Sequence, residues 1–138
     1  MSTPIYHEYA PFYDGSGQIR FAVLMGQYLE ELLARHPVAG RRALDVACGT
    51  GTLALLLADA GWKVVGLDSS QAMLAQARAK AANVETLGSV LFVRGDRREL
   101  RIENENLRRS CFQFSILNFT WMIAMTTSRT LYTSSARR

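Results

Sequence analysis

Long apolar runs are missing from this 138-residue chain. Nothing approaches the roughly 18 to 20 continuous apolar residues that cross a bilayer, so no membrane span is expected. The start, Met1 to Tyr9, lacks a basic segment followed by an apolar one, which removes the signature of a secretory leader and makes the cytoplasm the expected compartment. Cysteine is scarce: Cys48 and Cys111 stand far apart with no metal-ligand spacing around either. A disulfide framework is therefore not expected, and no metal ligand is assigned. What is present is a globular composition, 49% hydrophobic and 20% charged, which excludes the disordered and collagen-like classes. The length suits one core and falls short of two well-developed domains.

Charge is unevenly spread. The formal net charge is +4, yet residues 1 to 93 hold seven basic and eight acidic side chains, while residues 94 to 138 hold nine, all Arg, and four. From Leu107 onward there is no acidic residue, and ten of 32 positions are Ser or Thr. The break divides the chain into a domain over residues 1–106 and an atypical basic tail over residues 107–138. A basic end is one way to hold nucleic acid, which would make the chain a binding module. Against this, the tail has no Lys, no alternation of aromatic with basic residues and no helix-turn-helix signature, so nucleic acid is not the expected partner.

Periodicity organises the first hundred residues. Ala22, Met25, Leu29, Leu32 and Leu33 recur at helical spacing and the pattern stops at His36-Pro37, which predicts a surface helix over Ile19 to Ala34. The apolar run Ala43 to Ala47 ends at a glycine turn and reads as a buried strand. Thr52 to Ala60 is almost wholly Ala and Leu, a buried helix stopped by Gly61. Lys63 to Leu67 is a second strand, a helix capped by Ser69 or Ser70 follows, and Val90 to Val93 is a third strand. Strand and helix alternating in this way build right-handed βαβ units, and hence an α/β fold on a parallel sheet with helices on both faces. Phe112 to Phe119 is an arguable fourth strand, and Thr120 to Arg138 shows neither period.

In an open parallel sheet the ligand lies beyond the carboxyl ends of the strands. All three predicted strands end in an acid: Asp45 before the turn Ala47-Cys48-Gly49-Thr50-Gly51, Asp68 after the second strand, Asp96 after the third. Glycines in such a turn let backbone N–H groups approach a ligand at a helix N-terminus. Gly49 to Ala54 also fits the G-x-G-x-x-A dinucleotide fingerprint, with Asp68 placed 19 residues on, so a nicotinamide-dependent oxidoreductase is the competing reading. Asp45 argues against it, because a carboxylate there repels a pyrophosphate and attracts a cationic group.

The run Asp45 to Gly51 matches the strand-D/E-x-x-x-G-x-G motif, and the chain resembles the class I S-adenosylmethionine-dependent methyltransferases in it. The resemblance covers about residues 1 to 100 and extends to Gly66 to Leu74, to Gly95-Asp96, and to the Ala-x-x-Tyr-Asp pattern at Ala10 to Asp14, found in small-molecule-type domains. It implies a Rossmann-like, doubly wound sheet, S-adenosylmethionine as cofactor and methyl transfer to a small-molecule acceptor. It further implies that Ala47, Cys48, Gly49, Thr50 and Gly51 line the methionine part, with Asp45 attracting its ammonium. Asp68 would accept from the ribose hydroxyls, Ser69 and Met73 would flank the adenine, and Asp96 would accept from its amine. Tyr13, and after it Tyr9, would cover the cofactor from a lid over residues 1–40. No catalytic base is assigned; His7, in that lid, is the one candidate considered.

Each residue also has a structural reading. The glycines turn the chain, Asp68 caps the next helix, Asp96 is ordinary turn chemistry, Met73 and Cys48 fill core, and Tyr9 and Tyr13 pack a short helix. Domains of the resembling family continue through seven strands, so the sheet is expected to be incomplete. Translation of the tail from a shifted reading frame is one account of both the missing strands and the Arg, Ser and Thr excess, since codons permitted for Met125 to Arg138 can be read two bases later as an acidic amphipathic helix.

Overall fold

The structure, a computed structural model, describes residues 6–38, 40–96, 112–116 and 119–125, the last two segments as backbone. A turn of 3-10 helix at Ala10–Phe12 precedes helix α1, Ile19–Arg35. Strand β1, Arg42–Val46, leads through the glycine turn into α2, Thr52–Asp59. Strand β2, Lys63–Asp68, α3, Gln71–Ala81, and β3, Ser89–Arg94, follow, and β4, Phe112–Ile116, pairs with β5, Phe119–Met125.

The sheet order is β3-β2-β1-β5-β4. The first three strands run parallel, as the βαβ rhythm requires, with Leu44 opposite Val65 and Val65 opposite Leu91. On the other side of β1 the sheet changes character: β5 is antiparallel to β1, and β4 antiparallel to β5. A two-residue connection between β4 and β5 permits only an antiparallel return, so these two strands cannot both join the sheet in parallel. Among the described residues there are five strands where the resemblance implies seven, and the expected division at residue 106 lies outside the described residues.

Alternation along the strands sets the two faces. Ala43, Val64 and Phe92 face one side and join Leu29 of α1, Leu53, Ala54, Leu57 and Ala58 of α2, and Leu74 and Ala77 of α3 in one buried cluster. Helix α2 is apolar nearly all round because it lies between α1 and the sheet. Each of its buried Leu side chains contributes about 1.5–3 kcal/mol by leaving water. Leu44 and Val46 form a second cluster on the opposite face with Val65 and Leu67. No described helix takes part in that cluster, so among the described residues the expected covering on both faces is met on one.

Candidate functional site

The carboxyl ends of β1, β2 and β3 come together around the turn 47–51. Ala47 opens the turn at φ +62°, a left-handed conformation that a residue with a Cβ seldom adopts. The turn then closes on itself: the Cys48 N–H donates to the Leu67 carbonyl at 3.0 Å, and the Gly51 N–H to the Cys48 carbonyl at 2.9 Å. The two glycines serve different needs. A Cβ on Gly51 would meet the Phe92 ring at 2.5 Å, so this glycine is there for packing. A Cβ on Gly49, at φ +55°, would meet nothing within 4 Å. Gly49 therefore faces open space, where a ligand can approach the backbone.

Asp68 holds the turn to the neighbouring strand. Its Oδ2 accepts from the Gly49 N–H at 2.7 Å and its Oδ1 from the Ser70 N–H at 2.8 Å. A carboxylate has about four acceptor positions, so each oxygen keeps capacity for a hydroxyl donor. The Ser70 side chain, accepting from the Met73 N–H at 3.3 Å, is the cap of α3. Of the two serines considered, Ser70 is thus the cap, which leaves Ser69 exposed beside Asp68.

Asp45 is fully buried beneath the turn, on the helix-covered face of β1. Neither carboxylate oxygen completes a hydrogen bond of ordinary geometry among the described residues. Burial, and after it the charge of Asp68, pushes its carboxyl up to about 7; the Ala54 N–H offsets this only in part. Its full burial leaves no Asp45 atom exposed at the mouth. Cys48 is buried next to it, and the same dry surroundings push its thiol far above the ordinary range, so it is not a nucleophile. Met73 is buried as well. Asp96 follows β3, half-buried, one residue beyond Gly95, whose N–H donates to the Asp68 carbonyl at 3.0 Å.

The amino-terminal segment closes over this mouth. Tyr13 lies edge-on to Tyr9 with centroids 5.8 Å apart, and the Tyr9 hydroxyl shares a hydrogen bond with Ser16 at 2.5 Å. Burial raises the Tyr13 phenol above its ordinary value, and the neighbouring Tyr6 and Tyr9, then Asp14 and Asp68, raise it further. His7 is exposed. The sequence reading missed Lys80. Its ammonium reaches Asp14, Thr52 and Thr50 at 2.5, 2.8 and 3.3 Å. No local pattern joins residues 14, 50 and 80, so only the fold could bring them together.

Comparison with known proteins identifies the family. Residues 43–131 match the family model described as a methyltransferase domain. Over 82 residues the chain is 37% identical to the demethylmenaquinone methyltransferase of Clavibacter sepedonicus, covering 59% of this chain and 32% of that protein. The crystal structure of the PH0226 protein of Pyrococcus horikoshii OT3 superposes with a TM-score of 0.56 at 32% identity, covering 76% of this chain and 45% of that one. A S-adenosylmethionine-dependent methyltransferase from Clostridium acetobutylicum ATCC 824 superposes with a TM-score of 0.50 at 25% identity, covering 78% and 41%. The chain thus spans less than half the length of each of these proteins.

Proposed function

This chain belongs to the methyltransferase domain family, and from that membership we propose that it binds S-adenosylmethionine at the glycine turn and transfers the methyl group to a small-molecule acceptor. The carrying observation is the pairing of an open Gly49 with a fully buried Asp45 beneath it, whose oxygens complete no ordinary hydrogen bond among the described residues. A buried carboxylate without a partner is costly, and a cationic group in reach lowers that cost. A pyrophosphate would raise it. The turn is also poorly equipped to cradle phosphate, because the N–H groups of Cys48, Gly49 and Gly51 already donate within the protein. This favours a cofactor with an ammonium over a dinucleotide.

When bound, S-adenosylmethionine supplies a methyl group already activated by its sulfonium. The residues have the simpler task of holding the partners in place. Gly49 leaves room for the methionine part against the turn, and Asp45 supplies negative potential from below. Asp68 offers its remaining lone pairs to the ribose hydroxyls, while Ser69 and Asp96 lie where the adenine would rest. Tyr13 covers the mouth and limits water. Alignment of acceptor and donor in such an enclosure can supply about 7–11 kcal/mol of a barrier, so no general base is required. The Clavibacter sepedonicus relative, named for a quinone substrate, supports a small-molecule acceptor.

Calorimetric titration of the purified chain with S-adenosylmethionine, S-adenosylhomocysteine and NAD tests the reading. Saturable binding of the two S-adenosyl ligands and none of NAD is expected. Binding of NAD alone would replace it with the oxidoreductase reading.

A further inference from the structure

Three segments far apart in sequence meet at Thr50. Its hydroxyl donates to Asp14 Oδ1 at 2.6 Å and accepts from Lys80 Nζ at 3.3 Å. The same ammonium donates to Asp14 Oδ2 at 2.5 Å and to Thr52 Oγ1 at 2.8 Å. All three ammonium donors are used, and the Thr50 hydroxyl both gives and receives. Thr50 is buried, and the Lys80 and Asp14 side chains are only 29% and 37% exposed, so the network is partly shielded from competing water.

Its position matters more than its strength. Thr50 stands between Gly49, which faces open space, and Gly51, which is locked against Phe92. Asp14 adjoins Tyr13. The segment carrying Tyr13 is braced internally, with the Ser16 hydroxyl donating to the Tyr13 carbonyl at 2.8 Å and the Ser16 N–H to the Phe12 carbonyl at 2.9 Å. Besides the packing of its buried Ala10, the contacts at Asp14 tie this segment to the glycine turn.

We propose that Asp14, Thr50 and Lys80 are positioning residues that strap the Tyr13 segment to the glycine turn, so that docking of the segment and occupancy of the turn strengthen each other. The coupling to occupancy rests on the cofactor reading above; the strap itself belongs to the free protein. By linkage, whatever holds the segment closed before binding lowers the ordering cost that binding would otherwise carry.

Amide hydrogen exchange on the full chain, free and with S-adenosylhomocysteine, tests both halves. In the free protein Lys80→Met and Asp14→Asn should each speed exchange over residues 7–18 about tenfold, with the amides of β2 and α2 unchanged. The double variant should be no faster than either single one, because both remove the same network. Lys80→Arg should restore most of the protection. With ligand, wild-type exchange over residues 7–18 should slow, and Lys80→Met should bind about three- to tenfold more weakly, again with rescue by Arg. Unchanged exchange in the free single variants, or additive effects in the double one, overturns the strap. Should Lys80→Met lose protection throughout, Asp14→Asn decides alone. A strap seen in the free protein without any S-adenosylhomocysteine binding would overturn the cofactor reading and leave the strap standing; binding with full affinity in Lys80→Met would overturn the coupling and leave the cofactor reading standing.

Discussion

Raising the pH from 6 to 8 should tighten binding of S-adenosylhomocysteine about tenfold while loosening the free protein, and both effects trace to Asp45. Its carboxyl is pushed up to about 7 from an ordinary 3.8, first by burial and then by Asp68. Between those two values the folded state keeps a proton that the unfolded chain has released. The unfolded state thus binds fewer protons, and stability falls as pH rises from about 4 to 7. Above that window the ionised, buried carboxylate costs up to about 4 kcal/mol. Ligand binding runs the other way, because an ammonium over the turn favours the ionised form. About one Asp45 in eleven is ionised at pH 6 and about ten in eleven at pH 8, which gives the tenfold factor when the bound carboxyl titrates well below 6. Calorimetry in buffers of different ionisation enthalpy reads the affinity, and the proton released at pH 6, directly. Urea melts at pH 5.5 and 8 read the stability. Asp45→Asn should abolish the pH dependence of both, melting later than wild type at pH 8 while binding more weakly there. A wild-type affinity that is flat between pH 6 and 8, or an Asn variant that keeps the slope, would refute the role given to Asp45.

Other substitutions separate packing from ligand contact. Asp68→Ala removes the acceptor of the Gly49 and Ser70 N–H groups as well as the ribose contact; calorimetry should show a loss of more than ~1 kcal/mol in S-adenosylhomocysteine binding, and melts a loss of ~1–3 kcal/mol in stability. Unchanged affinity in the folded variant would mean that the ribose assignment is wrong. Gly51→Ala drives a methyl into the Phe92 ring at a left-handed φ and should cost ~2–4 kcal/mol in denaturant unfolding. Gly49→Ala, with open space around it, should cost only ~1–2 kcal/mol of backbone strain and weaken ligand binding by more than that. Equal losses of stability at the two glycines would contradict their division of labour. Ala47→Gly relieves a left-handed φ of +62° at the expense of unfolded-chain entropy, so melts should show stability unchanged or raised by up to ~1 kcal/mol.

The parallel half of the fold was legible because each of its elements announces itself locally. The Leu and Val runs, the glycine turn and the Pro after His36 place β1 to β3, α1 and α2 within a residue or two of their observed limits, and the serine cap places the start of α3. The three strand-end acids likewise follow from reading what comes after each strand. The β4–β5 hairpin was only half visible: Phe112 to Phe119 reads as extended, yet Phe119–Met125 joins it as a partner with no alternation in its sequence to say so. Non-local chemistry was invisible. That Gly51 exists for Phe92, and that Asp14 finds Lys80 through Thr50, depends on side chains 41 and 66 residues apart meeting in space, which no spacing rule encodes. Asp45 was singled out for its charge, but its complete burial, and hence its raised pKa, needed α2 laid across it.

Strand β1 obtains its partner on one edge from the neighbouring βαβ unit and on the other from residues 119–125. On a ribosome adding about 5–20 residues per second, roughly 4–16 s separate the emergence of Val46 from that of Met125. Throughout that interval the nascent sheet must present a bare line of amide and carbonyl groups at what becomes its middle, open to pairing with any other extended peptide. Slowing translation before residue 119 should therefore divert more of the product into aggregates.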